Sequence, residues 1–216
     1  MLKNNKSYCR VPFDSVTITP TGRMHLCCES QHNFSFETEQ MQLNQIESID
    51  KWFDGKYLTN VRKAMMEGKK LKECDFCYKA EALHGSSPRM GINQRYFAHN
   101  TDPEQKSIKK IDMKLGNKCN LKCKMCFPYA SSELWKEWKQ LGWNDSKKDP
   151  NNDTSWKYYD GYYEADYSWP KVKSNLDKIK DVVTKSKIIH VTGGEPTINP
   201  ELYQLLKHCI DKGTAK

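Results

Sequence analysis

The sequence lacks the long apolar segments that membrane-spanning helices require. No stretch of the 216 residues approaches the roughly 20 consecutive apolar residues of a spanning helix, and the mean hydropathy is −0.86. The first residues, MLKNNKSYCRVP, hold no apolar run, so we expect no secretory signal and predict a cytoplasmic location. The lack of long apolar segments excludes a membrane-spanning protein.

Disorder is excluded as well, because 37% of the residues are hydrophobic, enough for one compact domain or two small ones. The formal net charge of +8 permits an acidic partner. The lysines are distributed along the chain, however, which is typical of solvated faces. No RNA-binding motif accompanies them, so the sequence does not favour a nucleic-acid partner.

Cysteine is abundant, with nine residues. In a reducing compartment such an excess indicates metal ligation or catalysis and seldom disulfides. Three of the nine, Cys119, Cys123 and Cys126, fall within eight residues, directly after a predicted strand at residues 108–115. A tetrahedral zinc would need a fourth, distant ligand. A cubane iron–sulfur cluster fits the spacing better, because each cysteine binds a different iron and one iron stays open.

A second motif follows the β-forming run at residues 188–192. Gly193, Gly194, Glu195 and Pro196 place a glycine pair and a carboxylate at the end of what reads as a buried strand, where α/β folds keep ligand sites. Paired glycines allow a ligand to lie against bare backbone, and Glu195 can accept a hydrogen bond from an ammonium group. Alone this motif is a weak indication of a ligand site, but together with the cysteine loop it is a strong one.

Together the two motifs resemble those of the radical S-adenosylmethionine (radical SAM) enzymes. The resemblance implies that Cys119, Cys123 and Cys126 hold a 4Fe-4S cluster, that its open iron chelates SAM, and that residues 193–196 contact SAM. It further implies reductive cleavage of SAM to a 5′-deoxyadenosyl radical, which abstracts hydrogen from a substrate. Many members have an aromatic residue where this chain has Met125, so Phe127 is the substitute candidate for the adenine contact.

The N-terminal hundred residues carry their own cysteine pattern. Cys9 precedes a predicted hairpin, with strands at residues 16–19 and 24–28, and a helix predicted from Ser48 to Gly68 leads to Cys74 and Cys77. Together with Cys27, these three cysteines have a spacing that is typical of a structural zinc site. Their order also resembles the SPASM or twitch modules of radical SAM enzymes, which implies a second, auxiliary 4Fe-4S cluster. Those modules usually follow the catalytic barrel, whereas this one precedes it.

The two remaining cysteines have separate interpretations. On a strand Cys27 and Cys28 would point to opposite faces, and we favour Cys27 as the ligand because it shares a face with His25. Cys209 lies in an apolar stripe of the last predicted helix and is expected to be a buried core residue.

Between residues 142 and 170 the sequence predicts an insertion after a helix that begins near Ser131. It holds seven aromatic residues, which form either a local mini-core or a lid that stacks on a substrate. They are Trp156, Tyr158, Tyr159, Tyr162, Tyr163, Tyr167 and Trp169.

The fold predicted is α/β: a SPASM/twitch-like α+β module at residues 1–100, then the N-terminal part of a radical SAM barrel of parallel βα units at residues 101–216. Only two barrel strands are recognisable, so we expect a fragment, a reduced barrel or a second chain that completes it. The resemblance implies a reductant protein as partner, and a peptide or protein substrate by analogy. The alternatives are a zinc-stapled nucleic-acid-binding module and an inactive radical SAM fragment.

Overall fold

A computed structural model of the chain describes residues 5–30, 34–38, 41–97, 102–142 and 165–215. Contacts group the chain into two compact units. The first comprises Met1–Thr17, Met24–Asp112 and Lys185–Ile189, and the second comprises Ile18–Arg23, Met113–Thr184 and His190–Lys216. Most of the aromatic insertion, residues 143–164, lies outside the described residues. No described helix combines the length and apolar character that a membrane crossing requires.

The described residues form eight α-helices and four β-strands. The helices are α1 (Val11–Asp14), α2 (Ile49–Phe53), α3 (Lys56–Met66), α4 (Asp75–His84), α5 (Pro88–Phe97), α6 (Ser132–Gln140), α7 (Lys173–Val183) and α8 (Pro200–Asp211). The strands are β1 (Ser15–Ile18), β2 (Met24–His25), β3 (Lys110–Lys114) and β4 (Ile188–Thr192).

The strands form one small mixed sheet in the order β2-β1-β3-β4. β1 and β2 are joined by a tight turn, in which Thr19 N donates to Arg23 O at 2.9 Å. β3 and β4 run parallel, since Ile188 N donates to Lys109 O at one end and Leu115 N donates to Thr192 O at the other. The carboxyl ends of β3 and β4 therefore meet at one edge of the sheet. This sheet is consistent with part of a barrel, which itself stays a prediction.

The predicted hairpin is present but shorter than expected. β2 ends at His25, so Cys27 and Cys28 lie beyond the strand, and the argument from strand alternation is wrong for them. The single helix expected from Ser48 to Gly68 is also wrong. Ser48 caps α2 by accepting a hydrogen bond from Lys51 N, but the chain leaves the helix at Asp54 and restarts after the extended Gly55.

The second unit contains α6, α7 and α8, which the sequence predicts near Ser131, at residues 171–185 and around Cys209. Trp169 is buried there: its indole nitrogen donates to Pro20 O at 2.9 Å, and its ring packs on the turn at Gly22. β4 is where the structure departs from expectation. It was predicted to be buried, yet it is an edge strand among those described, and Ile188 is 56% exposed.

Candidate iron–sulfur and cofactor site

The three clustered cysteines lie on the loop after β3. Gly116 turns the chain with a φ of +73°, and a side chain there would meet Tyr167 O at 2.6 Å. Ser132, at the start of α6, then holds the beginning of the loop. Its hydroxyl accepts from Cys119 N and donates to Cys119 O, both at 3.1 Å. The first ligand candidate is therefore fixed to a helix end rather than carried on a loose loop.

A second serine holds the middle of this loop. Ser131 Oγ donates to Leu121 O at 2.9 Å and also accepts from Leu134 N, as the cap of α6. Cys126 N donates to Cys123 O at 2.9 Å and closes the far end. The sequence predicted these serines only as caps. The role that was missed is that the two serine hydroxyls, which follow shortly after the cysteine loop, also hold that loop in place.

The thiols of the loop are accessible. Cys123 is exposed, and Cys119 and Cys126 are half-buried. Cys119 Sγ accepts from Leu121 N at 3.3 Å, and partial burial raises the pKa of the Cys126 thiol above its ordinary value. Met125, between two of the cysteines, is 89% exposed. A cluster can therefore be loaded here without opening the core.

The glycine turn after β4 is hydrogen-bonded to this loop. Gly194 N donates to Ala130 O and Glu195 N donates to Lys118 O, each at 2.9 Å. Gly193 and Gly194 have φ values of +83° and +57°. A Cβ on Gly194 would lie 2.0 Å from Lys118 O, and one on Gly193 would lie 2.6 Å from Lys114 Cβ.

The expectation that this glycine pair leaves bare backbone for a ligand needs correction. The space beside both glycines is filled by the chain that leads into the cysteine loop. The glycines are required because two backbone segments meet there and because positive φ strains other residues. The turn and the loop thus form one packed unit.

Glu195 follows the turn in an extended conformation, as expected for a residue before proline, and Pro196 begins the short 3₁₀ helix Pro196–Ile198. Its carboxylate accepts from Thr197 Oγ1 at 2.6 Å and Thr197 N at 3.1 Å. These hydrogen bonds hold the pKa of Glu195 below its ordinary value. A half-buried carboxylate, held by Thr197, therefore stands beside the cysteine loop.

Phe127, the candidate for the adenine contact, directly follows Cys126. Its side chain is 43% exposed, and its ring stacks on Tyr129 with centroids 6.2 Å apart and planes 14° from parallel. One ring is thus supported by another while part of its surface faces solvent, a suitable platform for a flat aromatic ligand.

In the first unit the four cysteines predicted as N-terminal ligands line one pocket. They are Cys9, Cys27, Cys74 and Cys77, and the pocket that they line is partly open to solvent. Cys74 precedes α4 and Cys77 lies in its first turn. Cys28 is exposed, its thiol 3.9 Å from Glu29 Oε1, and does not line the pocket.

Burial dominates the chemistry of these four thiols. It raises the pKa of Cys9 to about 12 and raises the pKa values of the other three as well. The neighbouring backbone at Val11, Glu29 and Arg89 lowers the pKa values of Cys9, Cys27 and Cys77 and so opposes this shift. Burial thus favours the protonated form of these thiols, and metal binding here is coupled to the release of protons.

Two charged residues beside the pocket were missed by the sequence reasoning. Glu73 is fully buried, and its carboxylate accepts from Tyr57 OH at 3.0 Å and from Ser35 Oγ at 2.7 Å. Arg89 is contributed by α5, a helix that the sequence did not predict. Neither residue belongs to a sequence motif, because partners such as Tyr57 for Glu73 and Tyr8 for Arg89 are distant in sequence.

Zinc and a cubane cluster place different demands on these thiols. Zinc requires four ligands at about 2.0–2.3 Å from a single point, whereas a cubane spreads its thiolates over different irons. Within the described ranges, no group of three or more Cys, His, Asp and Glu side chains is drawn together as ligands of one ion.

Cys209 is buried in α8, as predicted for a core residue.

The second unit thus has the plan of an α/β domain that keeps a thiol-bearing loop and a glycine turn at the carboxyl ends of adjacent parallel strands. Comparison with known families agrees with this class: residues 113–215 match the Radical SAM superfamily. No curated protein and no solved structure matches the chain.

Residues 113–215 are therefore a radical SAM superfamily domain, and membership implies chemistry based on a 4Fe-4S cluster and SAM. The match covers both motifs but does not extend to the N-terminal cysteines. The radical SAM resemblance is confirmed at the level of this domain. The SPASM/twitch module and the individual ligand assignments stay predictions.

Proposed function

We propose that the chain is a radical SAM enzyme component that binds a 4Fe-4S cluster through Cys119, Cys123 and Cys126 and binds SAM beside it. One observation supports this most strongly. Inside a radical SAM domain, the cysteine loop and the glycine turn are joined by hydrogen bonds at the carboxyl ends of β3 and β4. When bound, the cluster and SAM supply one-electron cleavage to a 5′-deoxyadenosyl radical, which abstracts hydrogen from substrate.

In this proposal, residues of the chain position SAM and offset the charge of the cluster. Glu195, ionised and held by Thr197, accepts a hydrogen bond from the ammonium group of SAM. Phe127, stacked on Tyr129, offers its exposed surface to adenine. Lys122 and Lys124 are exposed on the cysteine loop, where their charge offsets that of a thiolate-bound cluster.

We further propose that Cys9, Cys27, Cys74 and Cys77 bind an auxiliary 4Fe-4S cluster, as in SPASM or twitch modules. Support comes from the pocket that the four cysteines line together and from their order along the chain. Structural zinc is the competing occupant.

Partners are part of the same proposal. The exposed lysines around the cysteine loop suit an acidic reductant protein. The half-exposed edge strand β4 suits further strands of a barrel, supplied in part by another chain. A peptide or protein substrate follows from the SPASM/twitch likeness alone.

Anaerobic reconstitution with iron and sulfide tests the cluster assignments. About eight irons per chain are expected for two cubanes, and about four would remove the auxiliary one. Bound zinc without iron would favour the zinc-stapled binding module instead. The matched pair Cys27→Ala and Cys28→Ala sharpens the result, because only the first should lower the iron content.

SAM binding and cleavage test the site itself. Addition of SAM should perturb the electron paramagnetic resonance spectrum of the dithionite-reduced cluster, and Glu195→Gln should weaken that effect. Cys123→Ala should abolish 5′-deoxyadenosine formation, whereas Cys28→Ala should not. Cleavage retained in Cys123→Ala would contradict the assignment, and cluster formation without any response to SAM would indicate an inactive fragment.

A further inference from the structure

Arg89 is the feature of the N-terminal pocket that its proposed ligands do not explain. Among the described residues that line the pocket, the charged side chains are Glu29, Glu73 and Arg89. The Arg89 side chain is only 6% exposed. A buried guanidinium is costly unless it is paired, so its position beside four thiols requires a reason.

The guanidinium is fixed by several contacts. Its Nε donates to Glu81 Oε1 at 2.8 Å, and its Nη2 donates to the other oxygen of the same carboxylate. Nη1 donates to Tyr8 O at 2.7 Å, next to Cys9, and the group lies over the Tyr78 ring at 5.6 Å. The side chain lines the pocket together with Cys77 and the other three cysteines. Arg89 thus holds a positive charge rigidly against the thiols.

We propose that Arg89, oriented by Glu81, raises the reduction potential of the iron–sulfur cluster bound in this pocket. This inference rests on the proposed auxiliary cluster. A cubane with four thiolates is a doubly negative complex that becomes triply negative when it accepts one electron. A fixed positive charge stabilises the reduced form more than the oxidised form. Net charge and hydrogen bonds to sulfur are established determinants of such potentials.

Glu81 makes the proposal testable in both directions. It partly neutralises Arg89, so the two side chains act on the cluster with opposite signs. Arg89→Gln should lower the potential and Glu81→Gln should raise it. Arg89→Lys should stay close to the parent value, because it keeps the charge. A purely structural role for this ion pair would not produce shifts of opposite sign.

The potential is measured by dithionite titration in the full-length chain with Cys119, Cys123 and Cys126 replaced by alanine, so that only the N-terminal cluster contributes. Arg89→Gln should shift the one-electron equilibrium at least tenfold, which corresponds to about 59 mV. The control is Arg95→Gln, an equal charge change at an exposed position of α5.

Each result bears on the inference. Opposite shifts in the Arg89→Gln and Glu81→Gln variants, both larger than that of Arg95→Gln, support it. A normal cluster whose potential does not respond, or responds in one direction to both changes, overturns the inference and leaves the proposed function standing. Failure of the parent to hold a cluster on the four N-terminal cysteines overturns the auxiliary assignment and the inference together.

Discussion

Replacement of Gly194 by alanine tests the junction between the glycine turn and the cysteine loop. Gly194 has a φ of +57°, and an added Cβ would lie 2.0 Å from the carbonyl oxygen of Lys118. That contact is with backbone, so no side-chain rotation can relieve it. The carbonyl also accepts the hydrogen bond from Glu195 N, and moving it would weaken the junction.

The expected loss has two parts. A residue other than glycine in the left-handed region costs about 1–2 kcal/mol. The overlap with backbone adds about 1–3 kcal/mol, the usual cost of overpacking. Gly213 provides a matched control, because its φ is +66° and nothing lies within 4 Å of its Cβ position. Gly213→Ala should therefore show only the first part.

The assay is urea denaturation of the metal-free chain, monitored by tryptophan fluorescence. The free energy of unfolding is compared among the parent and both variants. Because no cluster is present, the result does not depend on the proposed function. Gly194→Ala should lose about 1–3 kcal/mol more than Gly213→Ala. Equal losses would refute the reasoning, since the turn would then not be packed against the loop.

Three further changes have defined outcomes. Ser132→Ala removes both hydrogen bonds to Cys119, so it should lower the free energy of unfolding by about 1–2 kcal/mol in urea titrations; an unchanged value would mean that the loop is held elsewhere. Burial alone would raise the pKa of Glu81, but hydrogen bonds led by Arg89 outweigh it and hold the pKa below 4.5. Ionised Glu81 therefore stabilises the fold above about pH 4.5, and the stabilisation is lost as the pH falls through the lower folded-state pKa. Unfolding midpoints at about pH 6 and pH 3.5 should show that loss in the parent and less of it in Glu81→Gln. Cys209→Ser buries a hydroxyl and should cost about 1–3 kcal/mol in the same titrations, while an altered iron content would contradict its core role.

Periodicity and turn chemistry predicted the elements around the cysteine loop and the glycine turn well. β3, β4, α6, α7 and α8 all occur where apolar spacing and capping residues indicated them. These signals are local, so the sequence contains them directly. The burial of β4 was wrong because exposure depends on which elements cover a strand, and a run such as Ile188-Ile189-His190-Val191 reads the same at an edge as at the centre of a sheet.

α5 shows what could not be read from the sequence. Its residues, PRMGINQRYF, have no regular apolar spacing. The helix is fixed by polar tertiary contacts instead: Asn93 accepts from Arg10 N and donates to Tyr8 O, and Arg89 donates to the same carbonyl. These partners lie more than eighty positions away in the sequence, and no local sequence pattern indicates them.

The sequence analysis favoured Cys27 over Cys28 as a ligand of the N-terminal site, but the argument for this choice was wrong. Cys27 lines the pocket and Cys28 does not, as the sequence analysis favoured. Strand alternation is not the cause, because β2 has already ended at His25. The turn that follows Cys27, in which Ser30 N donates to Cys27 O, separates the two thiols instead.

The hydrogen bond from Trp169 to Pro20 bears on how this chain can be divided in the laboratory. Residues 18–23 belong to the same compact unit as the cysteine loop and Trp169. The chain from residue 24 to the start of β3 belongs to the other unit. A gene fragment that starts at residue 101 would leave the Trp169 indole without its acceptor and without the glycine turn that it covers. Studies of the radical SAM domain in isolation should therefore supply residues 18–23 by circular permutation or as a separate peptide.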